Sequence, residues 1–537
     1  MPTSSRTRRT RIGMCLLAIP VALVAAACST TGKPAATHTQ PATTTNPKAA
    51  PPSGSWPYPN ADLANTRQAP DSVITAANVS KLQQAWTFRI TGKAAAGVYS
   101  TGSLAMSPVV VNGVVYIQDL DANVYALDLA TGKLRWEYPV NIPEIAGPGP
   151  NGVAVADGRV YGESLHTAFA LNAATGKPAW IDRTLLTSGQ GSFEIQPQVV
   201  AGRVYLASAY GNGPGGGILL ALNAATGKVE WKFNTIVGSD AAVQTNQVGA
   251  GGAWEPPLVG SDGSVTFGIG NPYESAATAI AHPERLLYTD SEVNLDAATG
   301  KLRWYYQAVP NDFMDHDLQT SPIAASTNGT AVDIAAGKMG YVYAINAHTG
   351  SLVWKTPVGV HNGNDNDGLL AMEHKLTLTA PVTIEPGDLG GVLSNPAVAD
   401  GTVYVATIDE PVTYTKLTQV LAAKSPPTPP TGQIEALNLA TGKVEWDTKV
   451  SELPLGAVTV SNDLVFSTLY DGELIALSRT TGAIVYTHKL PTSTNAPIVV
   501  AGNTVIVPAG GPVTGYNAKT RKVEGGGHPQ LVAYTVP

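Results

Sequence analysis

An eleven-residue string recurs along this chain and constrains its fold more than any other feature. It reads ALDLATGKLRW at Ala126–Trp136, ALNAATGKPAW at Ala170–Trp180 and ALNAATGKVEW at Ala221–Trp231. It returns as NLDAATGKLRW at Asn294–Trp304, AINAHTGSLVW at Ala344–Trp354 and ALNLATGKVEW at Ala436–Trp446, with a weaker copy, ALSRTTGAIVY, at Ala476–Tyr486. Each copy has an apolar strand end, an Asx residue (Ser478 in the weaker copy), a Thr-Gly turn that needs φ > 0, and a second strand ending in an aromatic. That is a β-hairpin. Between copies lie Val/Tyr/Ile runs split by turn residues, such as PVVVNGVVYI and QVVAGRVYLA, which read as further hairpins. A four-stranded period cannot bury its faces alone and must stack on its neighbours, so the repeat predicts a propeller. Seven units are explicit, and an eighth is expected from GGHPQLVAYTVP at the C-terminus pairing with the early strand LQQAWTFRI. Such pairing closes the ring and hides both sheet edges. The predicted fold class is therefore all-β, an eight-bladed β-propeller over residues 56–537.

The segment before the propeller reads differently. Residues 1–28 carry a basic start, an apolar stretch from Ile12 to Ala27 and then Cys28, the pattern of a signal peptide rather than a stable span. The string VAAAC resembles a lipobox and makes Cys28 the expected lipidation site. Residues 29–55 are Thr, Pro, Ala, Gln and Ser with almost no charge, which predicts a disordered tether. The expected location is extracytoplasmic, attached to the cell membrane through a lipid anchor only. Both cysteines, Cys15 and Cys28, fall in the export segment, so the body has neither a disulfide nor a CxxCH for haem attachment. Any electron acceptor must be a separate molecule. Without residues 1–27 the chain carries 29 basic and 40 acidic groups, an acidic balance that argues against a nucleic-acid partner.

Residues outside the repeat carry the candidate chemistry. Of nine tryptophans, Trp136, Trp180, Trp231, Trp304, Trp354 and Trp446 sit in the repeat, Trp86 ends the closing strand and Trp56 precedes it. Trp254, in the Gly-rich string VGAGGAWEPPLV, has no such architectural role, and its face suits a flat cofactor. GIGNPYE follows, where Asn271 offers a neutral carbonyl oxygen suited to a hard cation and Pro272 stiffens its presentation. After the fourth repeat comes WYYQAVPNDFMDHDLQTSPI, which crowds Asp312, Asp315 and Asp317 around His316. On a strand, Asp315 and Asp317 share a side, and their repulsion calls for a cation or a proton between them. HNGNDNDG, from His361 to Gly368, reads as an Asx-turn insertion without the closing Glu of a calcium loop. The stretch Pro411 to Gln433 reads as a long surface loop that rims the funnel mouth.

The repeat, the lead-in SWPYPNADLANTR and these strings together resemble the quinoprotein alcohol dehydrogenases, the pyrroloquinoline quinone (PQQ) enzymes. The resemblance covers nearly all of residues 56–537. It implies that Trp254 forms the floor under PQQ and that Asn271 ligates the metal. The Asp-rich string is similar to the family's PxDxWDxD segment, which implies that Asp315 is the catalytic base and a metal ligand. Asp317 falls where lanthanide-using members carry an extra carboxylate, and Met314 stands in place of the customary Trp. AAGKMGYVYAINAHTG resembles the segment in which a cation contacts the reactive carbonyl of PQQ, which puts Lys338 in that catalytic and cofactor-binding role.

Several family features are replaced. The cysteine pair over the cofactor is absent from EIAGPGP, and the family's arginine falls on Asn151. The glutamate that ligates the metal falls on Asn212. Glu194 occupies a cofactor-lining position usually held by Thr and is a candidate to restore the carboxylate. Leu393 and Leu455 replace two further contacts. The implied cofactors are PQQ with Ca²⁺ or a lanthanide, and the implied substrate is a small alcohol, polyol or sugar. Two other readings stay open: a non-catalytic propeller acting as an extracytoplasmic binding or assembly scaffold, and a solute-binding lipoprotein using the same funnel.

Overall fold

In a computed structural model of the chain, the residues described are 54–537, apart from 70, 93–102, 141–150, 188, 210, 212–215, 237–248, 250, 422–429, 512–513, 518–521 and 526–527. Cys28, the expected signal peptide, most of the expected tether and Asn212 lie outside them. Eight antiparallel blade sheets follow one another along the chain, seven of four strands and one, blade 3, with the two-residue strand Ser192–Phe193 added as a fifth. Blade 1 runs from Val109 to Tyr138, blade 2 from Ala154 to Asp182, blade 3 from Gln198 to Asn234 and blade 4 from Leu258 to Gln307. Blade 5 spans Ile323 to Pro357, blade 6 Ala397 to Val450 and blade 7 Thr459 to Lys489. Blade 8 combines Val499–Ala501, Thr504–Ala509 and Gln530–Thr535 with the early strand Gln83–Arg89, whose Phe88 pairs with Leu531. The early strand and the last one thus share one sheet, as the closing strand predicted.

The repeat motif is also the joint between blades. Each Thr-Gly glycine takes positive φ, from 67° at Gly300 to 74° at Gly227, which permits the turn after the third strand. Its missing side chain admits the tryptophan of the preceding blade: a Cβ on Gly176 would come within 2.7 Å of the Trp136 ring, and one on Gly300 within 2.6 Å of Trp231. The indole then donates to a backbone carbonyl of that next blade, Trp136 to Ala173 at 2.9 Å and Trp231 to Ala297 at 3.0 Å. The same pairing recurs at Trp86, Trp180, Trp304, Trp354 and Trp446. Burying an indole while satisfying its only donor makes each joint both apolar and directional.

The lead-in segment crosses the inner strands. Trp56 exchanges backbone hydrogen bonds with Val110 of blade 1, and the amides of Ala324, Val398 and Val460 donate to Ala64, Thr66 and Arg67. Arg67 is fully buried. Its guanidinium donates to Asn60, Ser107, Thr459 and the carbonyls of Val458 and Ile498, tying this segment to blades 1, 7 and 8. Burial lowers its pKa to about 10, which leaves it charged at neutral pH. Among the described residues no helix is long and apolar enough to cross a membrane.

Two insertions depart from plain loops. HNGNDNDG leads into a short helix, Asp367–Met372, and Val412–Tyr414 of the long loop pairs with Val382–Ile384 as a two-stranded ribbon. Both are brought to the segment that carries the Asp-rich string: Phe313 and Met314 pack against Ile384, Val412, Tyr414 and the helix Ala276–Ala281.

Candidate active site

The Gly-rich string and the Gly-Asn-Pro turn lie side by side. Gly249 and Gly251 donate to the carbonyls of Pro272 and Asn271 at 2.8 and 3.0 Å, and Gly270 donates back to Gly252 at 2.8 Å. This pairing brings Trp254 against Gly270, where a Cβ would fall 2.3 Å from the indole and 2.4 Å from a carboxylate oxygen of Asp317. Only glycine fits there. Trp254 is buried and faces this group of residues rather than solvent.

The Asp-rich string is a tight turn, not a strand. The reason is Asp312, whose two carboxylate oxygens accept from the amides of Met314 at 3.0 Å and His316 at 2.9 Å. A carboxylate capping two amides ahead of it favours a turn over a ladder. Asp315 consequently adopts φ 60°, a left-handed conformation. The two carboxylates still converge, because Lys338 reaches both: its Nζ lies 2.8 Å from Asp315 Oδ2 and 2.6 Å from Asp317 Oδ2. The Lys338 amide also donates to the Asp317 carbonyl at 2.9 Å, which fixes the base of the side chain. Asn271 completes the group, donating from Nδ2 to Asp315 Oδ1 at 2.6 Å and from its backbone amide to Asp317 Oδ1 at 2.7 Å.

All four side chains are buried. Burial opposes the charge on Lys338, but Asp315 and then Asp317 outweigh it and hold the ammonium above its ordinary range. Burial raises Asp315 well above the usual carboxylate range even against Lys338, with Asp317 adding to the shift. The carboxylates account for the rise of Lys338, and burial, which outweighs the lysine, accounts for that of Asp315. The repulsion foreseen between Asp315 and Asp317 is met by the ammonium.

Polar atoms without partners mark where a ligand would be satisfied. Asn271 Oδ1 is buried with no hydrogen-bond partner, as are both side-chain polar atoms of Asn151 and Glu194 Oε2. Glu194 accepts from Ser192 at 3.1 Å, and burial pushes its pKa to about 8. It lies beside a second buried acid, Glu163, which it helps to raise. Among the described residues no group of three or more His, Cys, Asp or Glu side chains is disposed to hold a metal. A cation at this centre would therefore depend on the amide oxygen of Asn271 together with Asp315 and Asp317, and would compete with Lys338.

Three more acids lie near the centre, Asp290 and Asp388 outside any motif and Glu274 at the end of GIGNPYE. Asp290, whose amide donates to Gly270 at 3.0 Å, is buried with both carboxylate oxygens unpartnered, and burial and then Asp312 raise its pKa. Glu274 is likewise unpartnered and raised to about 9 by burial and Asp312. Asp388 accepts from the Tyr414 hydroxyl at 2.5 Å and acts electrostatically on Asp315. In the sequence Glu274 belongs to the Gly-Asn-Pro string, whereas Asp290 and Asp388 carry no local signal.

Residues 56–360, more than half of the chain, match the family described as the glucose/ethanol/alcohol dehydrogenase β-propeller domain. Residues 430–524 match that of the outer membrane protein assembly factor BamB. The quinohemoprotein alcohol dehydrogenase of Comamonas testosteroni is 27% identical over 517 residues, covering 84% of this chain and 71% of that protein. A dehydrogenase subunit of quinone alcohol dehydrogenase from Gluconobacter oxydans is 28% identical over 390 residues, which is 63% of this chain and 50% of the subunit. Among solved structures, the Comamonas enzyme superposes with a TM-score of 0.74 at 22% identity, over 90% of this chain and 80% of that one. A europium-containing methanol dehydrogenase superposes with a TM-score of 0.71 at 19% identity, over 90% of this chain and 98% of that one. At these identities the superpositions speak for the fold.

Proposed function

The chain belongs to the glucose/ethanol/alcohol dehydrogenase β-propeller family, and from that premise we propose that it is an exported, lipid-anchored dehydrogenase. Its substrate would be an alcohol, polyol or sugar, oxidised with PQQ and a hard cation, Ca²⁺ or a lanthanide, at the Asp315 centre. The observation that carries this reading is the convergence of Asn271, Asp315, Asp317 and Lys338 on one buried point beside Trp254.

The residues present fit the cofactors. Asn271 Oδ1 is an unpartnered neutral oxygen next to two carboxylates, the donor set a hard cation takes. The indole of Trp254 offers a flat apolar face, and the unpartnered atoms of Asn151 and Glu194 offer polar contacts for a polar rim. When bound, PQQ would take up the substrate's hydride with its carbonyl polarised by the cation. Asp315 takes the proton from the substrate hydroxyl, the role its convergence with Asn271 and Lys338 suits it to. Asn271 orients that carboxylate through its 2.6 Å hydrogen bond. Lys338 supplies positive charge where negative charge builds up. Phe313 and Met314 form an apolar wall that limits water around Asp315. With no cysteine after Cys28, the electrons leave to a separate acceptor.

The test is to add PQQ with Ca²⁺ or La³⁺ to the purified protein and follow dye reduction with a panel of alcohols and sugars. Asp315→Asn should lower the rate by about 10²–10⁴-fold while leaving the fold intact. Failure to take up the quinone with either metal would refute the reading in favour of a non-catalytic scaffold, which the BamB match at residues 430–524 makes the principal rival. The anchor is tested separately: Cys28→Ser should release the protein from membranes, and retention would count against lipidation.

A further inference from the structure

Blades 4 and 5 also break the repeat at side chains that are not among the four of the Asp315 centre. In blade 4, Glu292 and Asn294 stand on the strand Ser291–Asp296, with Thr266 of the neighbouring strand paired to Asn294. The position of Asn294 is alanine in all six other copies of the repeat, and that of Glu292 is Val, Ala, Leu or Ile. In blade 5, Asp333 pairs with Ile345. The equivalent position in the other repeat blades is valine every time: Val115, Val160, Val204, Val265, Val403 and Val465.

These departures meet at one interface. Asn294 pairs across its sheet with Trp304, which packs in one cluster with Tyr343 and Ile345 of blade 5, so the polar face of blade 4 lies against the face that carries Asp333. Thr266 joins the two sides, accepting from Asn294 Nδ2 at 2.8 Å and donating to Asp333 Oδ2 at 3.5 Å. All four side chains are buried, Glu292 completely. Both oxygens of Glu292 and the Oδ1 of Asn294 have no hydrogen-bond partner. Among the described residues no cationic group acts on either acid, and Glu292 is raised well above its ordinary range by burial and then by Asp333.

Two acids and an amide have replaced apolar side chains at one joint and meet the Thr266 hydroxyl there, with a surplus of acceptors and no positive charge among the described residues. Left as ions they would be costly to bury. We propose that Glu292, Asp333, Asn294 and Thr266 form a structural site for a hard divalent cation, of the Ca²⁺ class, between blades 4 and 5. The all-oxygen donor set is the one such an ion takes. Its place in the fold gives it a purpose: the strand Ser264–Gly268 runs on to Asn271, and the strand Thr330–Gly337 runs on to Lys338. A cation clamping these strands holds apart or together the two blades that carry the Asp315 centre. The inference does not depend on that centre being catalytic.

The experiment counts Ca²⁺ on chelator-treated protein by calorimetric titration and metal analysis, and follows the melting temperature. Wild type should regain one equivalent that Asp317→Asn retains and Glu292→Gln/Asp333→Asn loses, with a rise of about 3 °C at saturation. A variant carrying repeat residues, Glu292→Leu/Asn294→Ala/Asp333→Val, should fold, bind one equivalent fewer and lose that part of the chelator's effect on its melting temperature. Equal Ca²⁺ binding by wild type and both interface variants would overturn the proposal. So would the absence of any equivalent beyond that lost in Asp317→Asn, which would leave a pair of protonated acids in the joint.

Discussion

Asn271 donates its side-chain amide to Asp315 over 2.6 Å while its own carbonyl oxygen stays buried without a partner. The residue therefore holds the candidate base in place with one end and presents a free ligand atom with the other. Asn271→Leu removes both. Cation affinity at this centre should fall by at least about tenfold, the loss of one neutral oxygen ligand and of an oriented carboxylate. Calorimetric titration with La³⁺ checks it, and unchanged affinity would remove Asn271 from the ligand set.

Lys338 is the internal counter-ion of Asp315 and Asp317. Lys338→Met leaves two buried carboxylates facing each other, a change that costs about 3–5 kcal/mol when one partner of a buried pair is lost. Added Ca²⁺ or La³⁺ should recover part of that loss, because the ion takes the place of the ammonium. Urea unfolding with and without metal reads both quantities. A variant as stable as wild type without metal would contradict the ion-pair geometry.

Glu194 gives a pH dependence with a definite sign. Burial raises its pKa from 4.5 to about 8, so the folded state favours the protonated form. Its contribution to stability is fully present below 4.5 and is lost as pH rises through about 8. Glu194→Gln mimics the neutral acid at every pH. It should match wild type near pH 4.5 and exceed it by a few kcal/mol at pH 8.5. Parallel melting curves for the two proteins across that range would show that the carboxylate is not so buried.

Arg67 makes five hydrogen bonds from one guanidinium, one to Asn60 within the lead-in segment and four that tie it to three blades. Arg67→Met strands several buried acceptors at about 1–3 kcal/mol each, so a loss of at least about 3 kcal/mol is expected. Limited proteolysis should then cut between Trp56 and Ala69 before it cuts the blades. Simultaneous digestion of both would mean that the segment does not depend on Arg67.

The hairpins were legible in the sequence because each is local: an Asx, a Thr-Gly turn and a tryptophan within eleven residues determine the turn and the strand that follows. Trp254 stood out because it falls outside that period. The Asp-rich string was legible as a concentration of charge but not as a shape, since Asp312 turns it by capping amides that a strand would have paired. Glu163, Asp290 and Asp388 left no comparable signal, because what distinguishes them is burial by residues far away in the chain. The same holds for Glu292 and Asp333, which look like ordinary strand acids until blade 4 is laid on blade 5.

The sequence by itself determined the propeller, the number of its blades, the strand that closes it and the short strings where chemistry was to be sought, since repeat period and turn chemistry act between near neighbours. Only the tertiary structure decided which acid meets which base, that Lys338 lies between Asp315 and Asp317, and that four polar side chains share the joint between blades 4 and 5. Pairing across blades depends on distances between residues tens of positions apart. Burial, which sets the charge of each group, exists only once the blades have packed.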